Sequence, residues 1–82
     1  MHVLLEVQNN IGAYLEGTLS LDDLEDWLAE YALALDAAGD IEAQGLSARA
    51  WRLISEYGYG HRSEESVRAE LSQLLPLRVS LP

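Results

Sequence analysis

Apolar residues in this chain recur at intervals of three and four residues, and glycine, serine or proline interrupts the recurrence in several places. An α-helix turns once in about 3.6 residues, so this spacing places the apolar side chains on one face of each helix. The clearest segment is SLDDLEDWLAEYALAL, residues 20–35, which holds five carboxylates beside its leucine face. The pattern therefore predicts an all-α fold in which every helix buries one face against the others.

Capping and terminating residues divide the chain into four predicted helices. Ser20 is a good N-cap for the second helix, with Asp23 at its third position, and Gly39 ends that helix. Ser63 caps the fourth helix, and Pro76 ends it. The predicted helices span about residues 3–16, 21–38, 41–57 and 64–75.

The connections between these helices are short, and short connections favour neighbours that run antiparallel. We therefore expect one domain, residues 1–82, folded as a small antiparallel four-helix bundle around a single core. A strand over residues 2–7 is the alternative for the first segment, although its residues do not alternate between apolar and polar. The C-terminal tail, residues 77–82, does alternate, and we expect it to be short and extended, with disorder or pairing with another chain as alternatives.

The inward face of each helix supplies the predicted core. Its residues are Leu4, Val7, Ile11, Tyr14 and Leu15; Leu21, Leu24, Leu28, Tyr31, Leu35 and Ala38; Ala43, Leu46, Ala50, Leu53, Ile54 and Tyr57; and Val67, Leu71, Leu74 and Leu75. Trp27 and Trp51 fall at the edges of their faces, where a tryptophan is usually half-buried and can also anchor an interface. Tyr59, in the glycine-containing loop after the third helix, is expected to cover the end of the bundle, and the alternative is that this loop is a recognition tip.

The charge is distributed unevenly along the chain. Residues 1–48 contain ten acids and no lysine or arginine, whereas residues 49–82 contain four acids and five arginines. A net charge of −9 repels the phosphates of nucleic acids and of anionic membranes, so a basic protein is the favoured partner. The lack of cysteine, of a basic leader segment and of an apolar run of about 20 residues indicates a cytoplasmic protein.

No motif typical of catalysis or of cofactor binding is present in the sequence. It lacks a phosphate-binding loop, a G-x-S-x-G elbow and an H-E-x-x-H pair. His2 and His61 are too far apart in sequence to predict a convergent metal site. We therefore expect a protein that is not an enzyme and that holds no cofactor or metal. A small helical enzyme is the alternative, and its only plausible anion-binding groups are Arg49, Arg52, Arg62, Arg68 and Arg78.

The most unusual predicted surface is the back of the second helix. At about 100° per residue, Asp22, Asp26 and Glu30 form a stripe opposite the core face, and Leu33 falls in line with them. Such a stripe is often only a solvated face, and single exposed leucines are ordinary. Carboxylates that frame an apolar residue also suit a basic protein, because charge steers the encounter and the apolar group anchors it. The candidate partner-binding residues are therefore Asp22, Asp26, Glu30 and Leu33.

Two stretches of the sequence resemble known proteins. They are Ile11-x-x-Tyr14-Leu15-x-Gly17-x-Leu19-Ser20-Leu21-x-x-Leu24-x-x-Trp27-Leu28 and Glu56-Tyr57-x-x-Gly60-His61-x-Ser63-Glu64-Glu65. Both look like a group of small, uncharacterised, all-helical bacterial proteins, over about residues 7–75. More remotely, the turn before Ser20, together with the size and charge, is similar to colicin-D-type immunity proteins. That resemblance implies a short acidic bundle that blocks a basic tRNA-cleaving toxin by occupying its active site, and it identifies no functional residue here.

The predicted function is thus an acidic protein-binding module. Its most specific version is an immunity- or antitoxin-like inhibitor that occludes a basic partner. The alternative is a structural or scaffold protein that forms a homo-oligomer through a flat apolar side bearing Trp27, Trp51 and the tail.

Overall fold

The computed structural model describes residues 3–75 of the chain. They form four α-helices, numbered in chain order: α1 is Val3–Glu16, α2 is Leu21–Ala38, α3 is Ile41–Gly58 and α4 is Glu64–Leu74. The predicted all-α fold is confirmed for these residues, and the alternative strand is wrong over residues 3–7, which are helical. His2 and the tail at residues 77–82 lie outside the described residues.

The helices form a bundle in which α1 and α3 lie across the centre. Each of these two helices contacts the other three, whereas the Cα atoms of α2 and α4 do not approach within 8 Å of each other. Tyr14, near the end of α1, and Leu21, at the start of α2, line one cavity at an end of the bundle. Tyr57, near the end of α3, and Glu64, at the start of α4, line the same cavity. Successive helices therefore run antiparallel, as their short connections predict.

Short polar side chains begin three of the helices. Ser20, Asp40 and Ser63 each accept a hydrogen bond from the backbone N–H three residues further along, at 3.0–3.1 Å. Each of these bonds satisfies an N–H that has no partner inside its own helix. The predicted caps Ser20 and Ser63 are confirmed, and Asp40 caps α3 in the same way.

The end of α3 lies one residue beyond the predicted Tyr57. Gly58 stays in the helix, whereas Gly60 has a φ of 80° and adopts the left-handed conformation that ends it. The N–H of His61 then donates to the carbonyl of Glu56 at 2.8 Å, which closes the six-residue turn common at glycine-terminated helices. The sequence offers two glycines as helix breakers, and the backbone hydrogen bonds select the second.

The end of α4 lies one residue before the predicted Leu75. Leu75 has an extended backbone, with φ of −77° and ψ of 149°. The residue before a proline is disfavoured in the helical conformation, because the proline ring collides with its backbone. Pro76 therefore ends the helix at Leu74, and Leu75, the residue directly before the proline, is not helical.

The core contains apolar side chains from all four helices. Its buried residues are Val3, Val7, Ile11, Tyr14, Leu24, Leu28, Leu35, Ala43, Ala50, Leu53, Ile54, Val67 and Leu71. All of them except Val3 belong to the predicted inward faces. Ala38 and Tyr57 were predicted to face inward and are exposed instead, because they lie in the last turns of α2 and α3, beyond the closely packed region.

Candidate protein-interaction surface

The four predicted partner-binding residues lie on the exposed side of α2. Asp22, Asp26 and Glu30 are exposed, and Leu33 has 81% of its surface accessible to solvent. Their spacing of three and four residues places them on one side of the helix, away from Leu24 in the core. The structure therefore brings these four residues together as one surface, which we call the acidic face.

Arginines from the described part of the chain do not neutralise the acidic face. Within residues 3–75 the salt bridge joins Arg62 to Glu56 at 2.8 Å. Arg68 donates its hydrogen bonds to backbone carbonyls at the end of α1. Neighbours along the acidic face are like charges four residues apart, and each such pair destabilises a helix by about 0.2–0.5 kcal/mol. A cationic partner would relieve this repulsion.

Beside the acidic face, α2 and α3 border a groove that Trp51 divides into two cavities. The first cavity has a volume of about 320 Å³ and is mainly apolar. Its lining includes Leu28, Ala29, Ala32 and Ala48. The small alanine side chains leave room for another chain to approach closely along this part of the groove.

The second cavity combines aromatic rings with carboxylates. Trp51, Tyr57 and Tyr59 line it and are 40%, 40% and 79% exposed. Asp22 and Glu25 line the same cavity, whose volume is about 420 Å³. We call these five residues the aromatic–acidic pocket. Asp22 belongs both to this pocket and to the acidic face, so the two surfaces are continuous.

The aromatic–acidic pocket is not predicted by the sequence pattern. Tyr57 was predicted to be buried and Tyr59 to cover the end of the bundle, and both predictions are wrong. The physical reason for Tyr57 is its place in the last turn of α3, beyond the closely packed region, whereas Tyr14 is the tyrosine buried in the core. The sequence did contain a signal for this pocket. Two tyrosines lie at the end of α3, and in an antiparallel bundle that end lies beside the start of α2, which is acidic.

Trp27 and Trp51 do not share one side of the molecule. Trp27 stacks on Tyr31, with ring centroids 4.4 Å apart. Burial and the nearby carboxylate of Glu6 on α1 raise the pKa of Tyr31. The proximity of Tyr31 to Glu6 places this pair at the edge of α2 next to α1. Trp51 lines the groove at the opposite edge of α2. The flat apolar side predicted for self-association is therefore not formed by these two indoles.

A polar cluster joins the end of α1 to the start of α4. The phenol of Tyr14 donates a hydrogen bond to Glu64 Oε2 at 2.8 Å. The guanidinium of Arg68 lies 4.9 Å from the centre of the Tyr14 ring and donates to the carbonyls of Tyr14 and Leu15. Burial and the hydrogen bond to Glu64 raise the pKa of Tyr14 to about 12.

This pKa predicts a loss of stability at alkaline pH. The fold favours the neutral phenol, so its stabilisation is complete below pH 10, the ordinary pKa, and is lost as pH rises through about 12. The pKa difference corresponds to at most about 3 kcal/mol of unfolding free energy. Urea denaturation between pH 9 and 12 should therefore show a steeper decline for the wild-type protein than for Tyr14→Phe.

The control for this measurement is Tyr59→Phe, because Tyr59 is 79% exposed and lies outside the core. Tyr59→Phe should retain the wild-type dependence on pH. The chain contains no lysine, and both variants keep Tyr31 and Tyr57. Identical pH profiles for Tyr14→Phe and the wild type would contradict the raised pKa.

The structure of residues 3–75 can also be compared with the expectations about metal binding, membrane spans and anion-binding arginines. Residues 3–75 hold no group of three or more His, Asp or Glu side chains arranged to bind a metal ion. In the same range, no helix combines the length and the apolar character required to cross a membrane. Among the arginines considered as anion binders, Arg62 and Arg68 make internal contacts, and Arg78 lies outside the described residues.

The fold and the charge define the class of this protein as a small acidic all-α bundle. No protein-family model, no curated protein and no solved structure matches the chain. The resemblance to colicin-D-type immunity proteins therefore stays a prediction.

Proposed function

We propose that the chain is an acidic protein-binding module and, most specifically, an immunity- or antitoxin-like inhibitor of a basic protein. The observation that supports this proposal is the acidic face: three like charges on one side of a helix, unpaired with the arginines of residues 3–75, around the exposed Leu33. Like charges in this arrangement reduce the stability of the isolated protein. A basic partner is attracted by the same carboxylates, and its contact with Leu33 buries apolar surface.

Inhibition in this proposal acts by occlusion. A nuclease binds the phosphates of its substrate in a groove lined by arginine and lysine. The carboxylates of α2 occupy that groove in place of the phosphates, and the net charge of −9 accelerates the encounter. The lack of cysteine in the sequence supports a cytoplasmic location as part of the same proposal.

Reversing the charge of the acidic face tests this function. Asp26 and Glu30 are exposed, so the double variant Asp26→Lys/Glu30→Lys should keep the fold. Each exchange adds two charges, so the net charge changes from −9 to −5. The partner is recovered from native cell extract by salt elution, and association is followed by surface plasmon resonance at low salt. We expect the association rate constant to fall about 10- to 100-fold, because steering by opposite charge is lost.

The matched control carries the same change of net charge on another helix. Glu65 and Glu70 are exposed on α4, and Glu65→Lys/Glu70→Lys also gives −5. This control should slow association much less than Asp26→Lys/Glu30→Lys does, because it changes the net charge equally but keeps the acidic face. If both double variants slow association equally, only net charge matters and the acidic face is not the binding surface. If neither does, the steering proposal is wrong.

A further inference from the structure

The aromatic–acidic pocket lies where the start of α2 meets the end of α3. Asp22 and Glu25 come from α2, whereas Trp51 and Tyr57 come from α3 and Tyr59 follows it directly. Because Asp22 also belongs to the acidic face, a partner attracted by that face arrives beside this pocket.

The electrostatics of the pocket favour a cation. The C-terminal end of a helix carries partial negative charge, and the last turn of α3 contains no basic residue to balance it. The start of α2 carries partial positive charge, but Asp22 and Asp23 in its first turn offset it. Arg68, the arginine of α4, lines the next cavity beyond Tyr57 and donates a hydrogen bond to a backbone carbonyl at the end of α1. Two carboxylates thus remain as the dominant charges of the pocket.

The aromatic rings add a second preference. The chain contains two tryptophans and four tyrosines, and rings of this kind normally cover the core. Half of these six residues do not. Instead Trp51, Tyr57 and Tyr59 surround one cavity and stay substantially exposed. The faces of aromatic rings attract cations, and the planar guanidinium of arginine stacks on them while it donates paired hydrogen bonds to carboxylates. An ammonium group is a point charge without this planar pair of donors, so it matches the combination of rings and carboxylates less well.

We infer that the aromatic–acidic pocket binds an arginine side chain of the protein partner, with the guanidinium between the aromatic rings and the carboxylates of Asp22 and Glu25. This inference rests on the proposed function, because the arginine belongs to the basic protein that the acidic face attracts. The apolar cavity on the other side of Trp51 accepts an apolar side chain next to that arginine. The recognised segment is therefore basic and apolar rather than simply basic.

The test uses a probe that needs no partner protein. N-acetyl-arginine-N-methylamide is titrated into the ¹⁵N-labelled chain, and the neutral isostere with citrulline and the lysine analogue are titrated in parallel. We expect a saturable shift of the indole N–H of Trp51 and of the backbone amides of residues 57–59, with no saturable shift of the indole N–H of Trp27. The citrulline probe should give no saturation over the same range, and the lysine probe should bind more weakly than the arginine probe.

Variants locate the binding. Glu25→Gln removes one carboxylate without changing the size of the side chain, and Tyr59→Ala removes a ring that is 79% exposed and lies outside the core. Each should weaken the arginine probe by about two- to fivefold, the range expected for one exposed cation contact. Glu30→Gln makes the same charge change on the acidic face outside the pocket and should leave the affinity of the probe unchanged.

The outcomes separate this inference from the proposed function. Equal binding of the arginine and citrulline probes, equal binding of the lysine probe, or weakening by Glu30→Gln as large as by Glu25→Gln would each overturn the arginine pocket. If the probe binds as expected while charge reversal at Asp26 and Glu30 leaves partner association unchanged, the proposed role of the acidic face fails alone. If the probe fails while charge reversal slows association, the pocket fails alone.

Discussion

Replacing Leu24 by alanine should destabilise the protein by about 2–5 kcal/mol, the largest effect that we expect from a single substitution. Leu24 is 0% exposed in the centre of the core, so its truncation removes apolar burial and leaves a cavity. Domains of this size have only about 5–15 kcal/mol of total stability, and small ones lie at the lower end. Urea denaturation should show a much lower midpoint with an unchanged slope, or a chain that is already unfolded without urea.

Leu33→Ala is the matched control on the same helix. Leu33 is 81% exposed, so the same chemical change should alter the unfolding free energy by less than about 0.5 kcal/mol. The contrast between the two leucines tests the orientation of α2, on which the acidic face depends. Comparable losses for Leu24→Ala and Leu33→Ala would mean that α2 does not present Asp22, Asp26 and Glu30 to a partner.

Replacing Arg68 by methionine should cost about 2–4 kcal/mol of unfolding free energy. The last carbonyls of a helix lack partners inside it, and α1 has no basic residue in its last turn. Arg68 of α4 provides both hydrogen-bond donors and a positive charge at this end of α1. It donates to the carbonyls of Tyr14 and Leu15, and its guanidinium lies over the Tyr14 ring, 4.9 Å from the ring centre. Methionine keeps the apolar stem of the side chain but removes the charge and the donors, so the loss reports on the guanidinium alone.

Two further substitutions complete the test of Arg68. Arg68→Lys should lose an intermediate amount, because an ammonium group keeps the charge but lacks the planar pair of donors. Arg52→Met is the control, since Arg52 is exposed on α3, and it should stay within about 0.5 kcal/mol of the wild type. Thermal denaturation with equal losses for Arg68→Met and Arg52→Met would show that Arg68 does not hold α1 to α4.

The acidic face shows how much of the candidate site could be predicted from the sequence. Once Leu24 and Leu28 are assigned to the core, helix geometry requires Asp22, Asp26 and Glu30 to point away from it, and the structure exposes all three. The sequence could not show whether arginines from other helices reach these carboxylates, because that depends on distances between segments far apart in the chain. The role of the acidic face in binding stays a prediction for the charge-reversal experiment.

The aromatic–acidic pocket illustrates the opposite case. Periodicity assigned Tyr57 to an inward face, since it follows Leu53 by four residues and Ile54 by three, the usual helical spacing. The pattern does not record where a neighbouring helix stops, and the last turn of α3 lies beyond the closely packed region. Only packing between α1, α2 and α3 therefore exposes the ring and brings it to Glu25, a residue of another helix.

The sequence by itself determined the number of helices in residues 3–75, their ends to within one residue and the acidic side of α2. Caps, left-handed glycines, the restriction before proline and the helical period all act over one or two turns of chain, so they can be read locally. The tertiary structure alone decided which carbonyls Arg68 binds and which aromatic rings surround a pocket. These features depend on contacts between residues that lie far apart in the chain, and such contacts exist only after the four helices have packed together.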